Sequence, residues 1–137
     1  MIKTFTAALA VGLGMAPLLT HAAGLDSYRP LLCATTEAVE CGALEEECFK
    51  GPPDGINVPH FVAVDVARKV IEERRVDGTG RRTVIENVKD KESALILQGA
   101  DGEYAWSAEI QKDTGKLVLT AAGEEVGFIV FGACIPD

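Results

Sequence analysis

The stretch Tyr104–Gln111, with the sequence YAWSAEIQ, sets the fold class because its apolar and polar residues alternate one by one. Tyr104, Trp106, Ala108 and Ile110 fall on one side, and the residues between them fall on the other. A period of two residues is the signature of a β-strand with one buried face. We therefore predict a half-buried strand over these residues.

Runs of the same kind lie on both sides of this strand, separated by turn sequences such as DGTG at 77–80 and GADG at 99–102. The last run, 126–135, is apolar on both faces, so we expect it to be central or covered. Short strands joined by short turns predict an all-β fold, a small antiparallel up-and-down β-barrel or sandwich of about eight strands. The predicted strands are 31–36, 60–66, 70–73, 82–88, 93–98, 104–111, 116–121 and 126–135.

Residues 34–48 fit either a helix or a strand. Their glutamates suit a helix that Thr35 or Thr36 would cap, but Gly42 interrupts such a helix. This segment overlaps the end of the first predicted strand, and a loop at 51–55 with the sequence GPPDG comes after it.

The first 22 residues have the pattern of a secretory signal peptide. Lys3 precedes an apolar run at 5–19, and small residues follow it at 20–24. Cleavage after Ala22, or alternatively after Ala23, would leave a single β-rich domain at 23–137. The chain has no second apolar run of the roughly 20 residues that a span needs, so we expect no membrane span after signal removal. The predicted location is periplasmic or secreted.

The four cysteines, Cys33, Cys41, Cys48 and Cys134, all follow the predicted signal. An even count in an exported domain indicates a disulfide framework. Three pairings are open, and we favour Cys33–Cys134 with Cys41–Cys48, so that the N-terminal segment is tied to the last strand. The alternative, a zinc site, lacks the usual close spacing of ligands, so we predict no metal.

The charge balance narrows the range of partners. Thirteen basic residues against 21 acidic ones give a net charge of −8. Binding to nucleic acid depends on Lys and Arg that neutralise phosphates, so we expect no nucleic-acid partner. The sequence also carries no nucleotide or cofactor motif, and we predict no cofactor.

The sequence contains only partial matches to catalytic motifs. The tripeptide Asp113-Thr114-Gly115 matches aspartic proteases but occurs once, where two aspartates would be needed, so a hairpin turn is the better interpretation. His60 has no serine motif around it and fits a strand entry. The acidic run 45–47 fits a solvated turn, and the Arg pairs at 74–75 and 81–82 either bind an anion or balance an acidic surface. We therefore expect a protein that is not an enzyme.

Aromatic and apolar residues give the remaining candidate site. They either line a ligand pocket inside the barrel or fill its core, and in so small a barrel a filled core is the simpler interpretation. These candidates are Tyr104, Trp106, Ile110 and Phe128.

Four segments carry a resemblance to a family: 32–37 (LCATTE), 57–59 (NVP), 97–99 (LQG) and 127–134 (GFIVFGAC). They resemble small exported bacterial proteins of unassigned function, which implies an exported bacterial domain and transfers no catalytic residues. The architecture is similar to that of periplasmic lysozyme-inhibitor barrels, which share an export signal and a C-terminal cysteine. The inhibitory loop motif of those proteins has no match here, so this likeness concerns the fold alone.

Two functions follow as expectations. The first is a non-enzymatic exported binding protein, for example an acidic inhibitor of a basic envelope enzyme, because a strongly negative domain attracts a cationic partner. The alternative is a carrier of a small apolar ligand, with Trp106 facing a barrel pocket.

Overall fold

Ten β-strands and one short 3-10 helix, Pro53–Ile56, form the part of the chain that the computed structural model describes, residues 24–137. The predicted signal peptide, residues 1–22, lies outside these residues. The strands are β1 (Leu31–Gly42), β2 (Phe49–Gly51), β3 (Phe61–Asp65), β4 (Val70–Glu73), β5 (Arg82–Val84), β6 (Asn87–Asp90), β7 (Ala94–Asp101), β8 (Tyr104–Gln111), β9 (Lys116–Ala122) and β10 (Val126–Pro136).

Nine of these strands form one curled antiparallel sheet, a half-barrel, in the order β5-β4-β3-β1-β10-β9-β8-β7-β6. The short strand β2 pairs with β1 outside this path. The strands β3 to β5 pair in chain order, and so do β6 to β10, whereas β1 pairs with both β3 and the last strand, β10. The predicted all-β, up-and-down architecture is confirmed. The prediction that 126–135 is central is confirmed as well, because β10 lies between β1 and β9.

The predicted strand 82–88 is in fact two strands, because the chain leaves the sheet between β5 and β6. Ile85 is fully buried, and its N–H donates to the carbonyl of Lys69 at 2.9 Å. The N–H of Glu86 donates to the carbonyl of Gln98, also at 2.9 Å. The adjacent residues Ile85 and Glu86 thus bond near opposite edges of the sheet. This connection brings the two edges together, so the sheet curls.

The segment 34–48, left open between helix and strand, is a strand as far as Gly42. β1 pairs with β10 along its whole length, with a bulge between Thr35 and Glu37. Its first half also pairs with β3, and its second half pairs with β2. Partners on both sides satisfy its backbone groups, and this long-range pairing outweighs the local helix preference of the glutamates.

Both disulfides join the cysteines in the favoured pairing. Cys33 and Cys134 face each other across the β1–β10 ladder and are buried. Cys41 and Cys48 close the exposed loop between β1 and β2. No cysteine is free in residues 24–137.

Candidate functional site

The concave face of the curled sheet carries the apolar side chains predicted from the alternation in β8. Backbone register places Ala108 level with Leu97 of β7 on one side and Leu119 of β9 on the other. Leu119 in turn lies opposite Val130 of β10. All four line one cavity, so a single row of side chains crosses its wall.

This cavity has a volume of about 380 Å³. Three neighbouring inward positions carry small residues. Two of them are Ala108 and Ala121, and the third is Gly99, which lies opposite Trp106. The two alanines leave space that Leu or Phe would fill, whereas the space beside Gly99 is occupied by the Trp106 ring and the carbonyl of Val84. The interior is therefore open where the sequence favoured a filled core. The apolar lining residues are Ile56, Val58, Pro59, Val62, Val64, Ile71, Leu97, Trp106, Ala108, Ile110, Leu117, Leu119, Ala121, Phe128 and Val130.

One end of the sheet interior is closed by the segment before β1. The N–H of Leu25 donates to the carbonyl of Lys112 at 2.7 Å, and Leu25 packs on the buried core. The hydroxyl of Ser27 and the ammonium of Lys112 both donate to the carboxylate of Asp90 on β6. These hydrogen bonds lower the pKa of Asp90, with the Lys112 bond as the largest cause. The N-terminal segment is thereby fastened across this end.

The other end of the cavity is polar. A rim is formed by Asn57, Glu73, Arg81, Arg82, Thr83, Asp101 and Tyr104, and these residues come from the loop before β3, the β4–β5 hairpin and the β7–β8 hairpin. Tyr104 stacks edge-on against Phe128, with ring centres 5.4 Å apart. The cavity thus combines an apolar interior with a polar rim at this end.

Two hydrogen-bonded contacts hold the rim together through Arg81. Its backbone N–H donates to Oε2 of Glu73 at 3.1 Å, and its Nη2 donates to the carbonyl of Asn57 at 2.6 Å. The guanidinium groups of Arg81 and Arg75 also lie within 3.5 Å of the Glu73 carboxylate. The Arg81 backbone hydrogen bond, reinforced by both arginines, holds the pKa of Glu73 below its ordinary value.

Trp106 is the aromatic wall of the cavity just below the rim. Its indole ring lies against Gly99, and the residue is only 8% exposed. Its Nε1 is buried and has no hydrogen-bond partner among residues 24–137. A buried N–H without an acceptor costs free energy, so this donor calls for an explanation.

The candidate residues from the sequence come together here. Tyr104, Trp106, Ile110 and Phe128 all line the cavity. The pair at 81–82 reaches its rim, whereas Arg74 pairs with Asp137 and Arg75 with Glu73 and Asp77. Sequence reasoning missed Glu73 and the loop at 56–59, which have no motif of their own and reach the rim only through the fold.

The remaining candidates lie elsewhere. Residues 113–115 form the β8–β9 turn, in which Gly115 has a φ of 70°. His60 is exposed, with its Nε2 3.6 Å from a carboxylate oxygen of Asp54. The acidic run 45–47 is exposed in the loop that the Cys41–Cys48 disulfide closes. Within residues 24–137, no three His, Cys, Asp or Glu side chains are grouped to hold a metal ion.

No protein-family model, curated protein or solved structure matches this chain. In the described part of the chain, no helix has the length and apolar character needed to cross a membrane.

Proposed function

We propose that the protein is an exported binding protein that holds a small apolar molecule inside its curled sheet. The cavity carries this proposal, because its volume of about 380 Å³ falls within the roughly 300–1,000 Å³ of small-molecule sites. An engineered apolar cavity of about 150 Å³ already binds benzene. The two disulfides support export, since such bonds persist in oxidising compartments, here the periplasm or the medium.

The choice of inward residues supports a site over a packing defect. A void in a core costs stability in proportion to its volume, so cores are normally filled. Here Ala108 and Ala121 keep neighbouring inward positions small, while the two ends of β8 carry the larger residues Ile110 and Tyr104. A ligand that fills the space would supply the missing contacts.

Binding, rather than catalysis, fits the groups at the rim. A general acid or base needs a pKa moved toward the working pH. The pKa of Glu73 is moved the other way, and its carboxylate is already bonded to Arg81. This group is therefore suited to holding the rim in place.

The test uses the fluorescence of Trp106, the single tryptophan of the chain, during titration with a panel of C8–C12 aliphatic ligands. We expect saturable changes in the native protein and a loss of at least about ten-fold in affinity in Ala108→Leu, whose larger side chain fills the cavity. The matched control is Ala105→Leu on the outer face of the same strand, which should bind as the native protein does. No response to any ligand, or equal binding by both variants, would rule out the proposal.

A second candidate is the inhibition of a cationic envelope enzyme, and one contact favours it. The N–H of Ala43 donates to the carbonyl of Glu125 at 2.7 Å, which joins the disulfide-closed loop to the β9–β10 turn. The two joined segments carry exposed glutamates at 45–47 and 124–125, and the loop also carries Leu44, which is 91% exposed. A loop fixed by a disulfide loses little entropy on binding, and the acidic surface attracts a basic partner.

Lysozyme at low ionic strength is the probe for this second candidate. An excess of the protein should reduce lysozyme activity, and the triple variant Glu45→Gln, Glu46→Gln, Glu47→Gln should reduce it less. Unchanged lysozyme activity with the native protein in excess would eliminate this form of the second candidate.

A further inference from the structure

The polarity of the cavity changes along its length. Toward the closed end its wall contains Val64, Ile110 and Leu117, whereas its charged residues are confined to the rim. A wholly apolar ligand would leave the rim groups without new contacts, and a polar one would lose hydration in the interior. The site therefore fits an amphipathic molecule with its polar end at the rim.

At the rim, more hydrogen-bond donors than acceptors are left to bind a ligand. A guanidinium has five N–H groups. Arg81 directs Nη2 to Asn57 and Nε toward Glu73. Arg82 directs Nε toward Glu72 at 3.5 Å. The carboxylate of Glu73 is already surrounded by Arg75 and Arg81. The remaining N–H groups of Arg81 and Arg82 suit an acceptor, and a carboxylate is the group that a guanidinium binds in bidentate fashion.

Asp101 is the rim group that opposes this preference. It is exposed at the end of the β7–β8 hairpin, so solvent and salt screen its charge. The side chains of Arg81 and Arg82 are also more than half exposed, so solvent weakens their salt bridges to Glu73 and Glu72 and the free side of each guanidinium can bind a ligand. Asp101 therefore weakens the preference of the rim for an anion but does not reverse it.

Trp106 carries a buried donor at the rim end of the cavity. Its Nε1 can only donate, and it is the buried side-chain donor for which residues 24–137 provide no acceptor. The pair Gly99 and Trp106 is the inward pair next to Asp101 and Tyr104 at the rim. The unmatched donor thus lies at the same end of the cavity as the two arginines.

We infer that the ligand is an amphipathic monocarboxylic acid, whose apolar body lies against Trp106 and the interior wall and whose carboxylate binds at the rim beside Arg81 and Arg82. This inference rests on the proposed function and adds the chemical class of the ligand. An alcohol of the same chain length would share the apolar contacts and lose the charge-assisted hydrogen bonds. An alkylammonium ion would bring only donors to a rim that needs acceptors.

The test compares decanoate, decanol and decylammonium at pH 7 and low salt, with Trp106 fluorescence and calorimetry as readouts. We expect decanoate to bind at least about ten-fold more tightly than the other two. Arg82→Gln should weaken decanoate about ten-fold and leave decanol unchanged, and Arg81→Gln should act in the same direction. Arg68→Gln is the matched control, because Arg68 pairs with the same Glu72 outside the cavity.

The outcomes separate this inference from the proposed function. Equal binding of the three ligands, or a preference for decylammonium, would overturn the inference that the ligand carries a carboxylate. The cavity would then remain a site for apolar molecules. A decanoate preference that survives in both arginine variants would also overturn it. If none of the three ligands binds, the proposed function fails, and the inference fails with it.

Discussion

Gly99 shows how a single residue shapes the cavity. A Cβ at this position would lie 2.6 Å from both Cζ2 of Trp106 and the carbonyl oxygen of Val84. The absence of a side chain therefore lets the tryptophan ring and the end of β5 approach β7 together. This position serves both the closure of the sheet and the placement of the aromatic wall.

Gly99→Ala is predicted to lower the free energy of unfolding by about 1–3 kcal/mol, the usual cost of overpacking. The carbonyl of Val84 belongs to the backbone, so the strain cannot be relieved by a side-chain rotation. Urea unfolding followed by circular dichroism measures the loss. Gly127→Ala is the control, because its nearest neighbour would be 3.9 Å away. Equal stability of the two variants would contradict this account of Gly99.

Among the elements, β1 and β10 hold the sheet together, and the buried disulfide reinforces their ladder. Cys33–Cys134 joins residues 101 positions apart, whereas Cys41–Cys48 joins residues 7 positions apart. Restricting a longer loop removes more entropy from the unfolded chain. The two bonds should therefore contribute unequally to stability.

Cys33→Ala with Cys134→Ala is predicted to cost about 4.7 kcal/mol of unfolding free energy, against about 2.5 kcal/mol for Cys41→Ala with Cys48→Ala. Urea titration of the two double variants gives the comparison. The second variant should keep the ligand affinity of the native protein, because neither cysteine lines the cavity. A larger loss in the second variant than in the first would be inconsistent with the chain-entropy explanation.

The segment before β1 is an element of a different kind, since hydrogen bonds to Asp90 fasten it to the sheet. The pKa of Asp90 lies below its ordinary value of 3.8, because Lys112 and Ser27 donate to the ionised carboxylate. A group with a lowered pKa stabilises the fold above pH 3.8 and loses that contribution as the pH falls through its value in the folded state.

Asp90→Asn is accordingly predicted to be less stable than the native protein at pH 7. The difference should shrink as the pH falls below 3.8 and through the lowered pKa of the folded state, where the native carboxylate becomes protonated. Thermal unfolding from pH 7 to pH 2 provides the measurement, with Asp113→Asn in the neighbouring exposed turn as the control. A difference that stays constant over this range would mean that the charge of Asp90 has no part in fastening the segment.

At the scale of the whole molecule, the sequence was enough to predict the architecture. It was not enough to predict that the interior contains a cavity. Alternation and turn sequences are local signals, and they indicate the all-β class and most strands. The break at Ile85 depends on hydrogen bonds to Lys69 and Gln98, which only the folded sheet brings near. The same holds for Glu73 at the rim, whose partner Arg81 reaches it across a hairpin.

The four pocket candidates illustrate the same limit. Alternation correctly placed Tyr104, Trp106 and Ile110 on one face of β8, and the apolar β10 suggested Phe128. Whether such residues fill a core or line a cavity depends on the residues opposite them. Here the inward Ala108 and Ala121 are small, and the wall opposite them includes Val62 and Val64 of β3, which only the long-range pairing of β1 with β3 and β10 joins to the same sheet.

The most direct test of the central claim is an NMR titration of the isotope-labelled protein with decanoate. The account predicts that the single indole N–H signal of Trp106 shifts, together with the methyl signals of the inward Leu97 and Leu119. The outward, partly exposed Ile129 and Val118 should keep their positions. Shifts confined to Ile129 and Val118, with the indole signal unmoved, would place the ligand on the outside of the sheet and contradict the account.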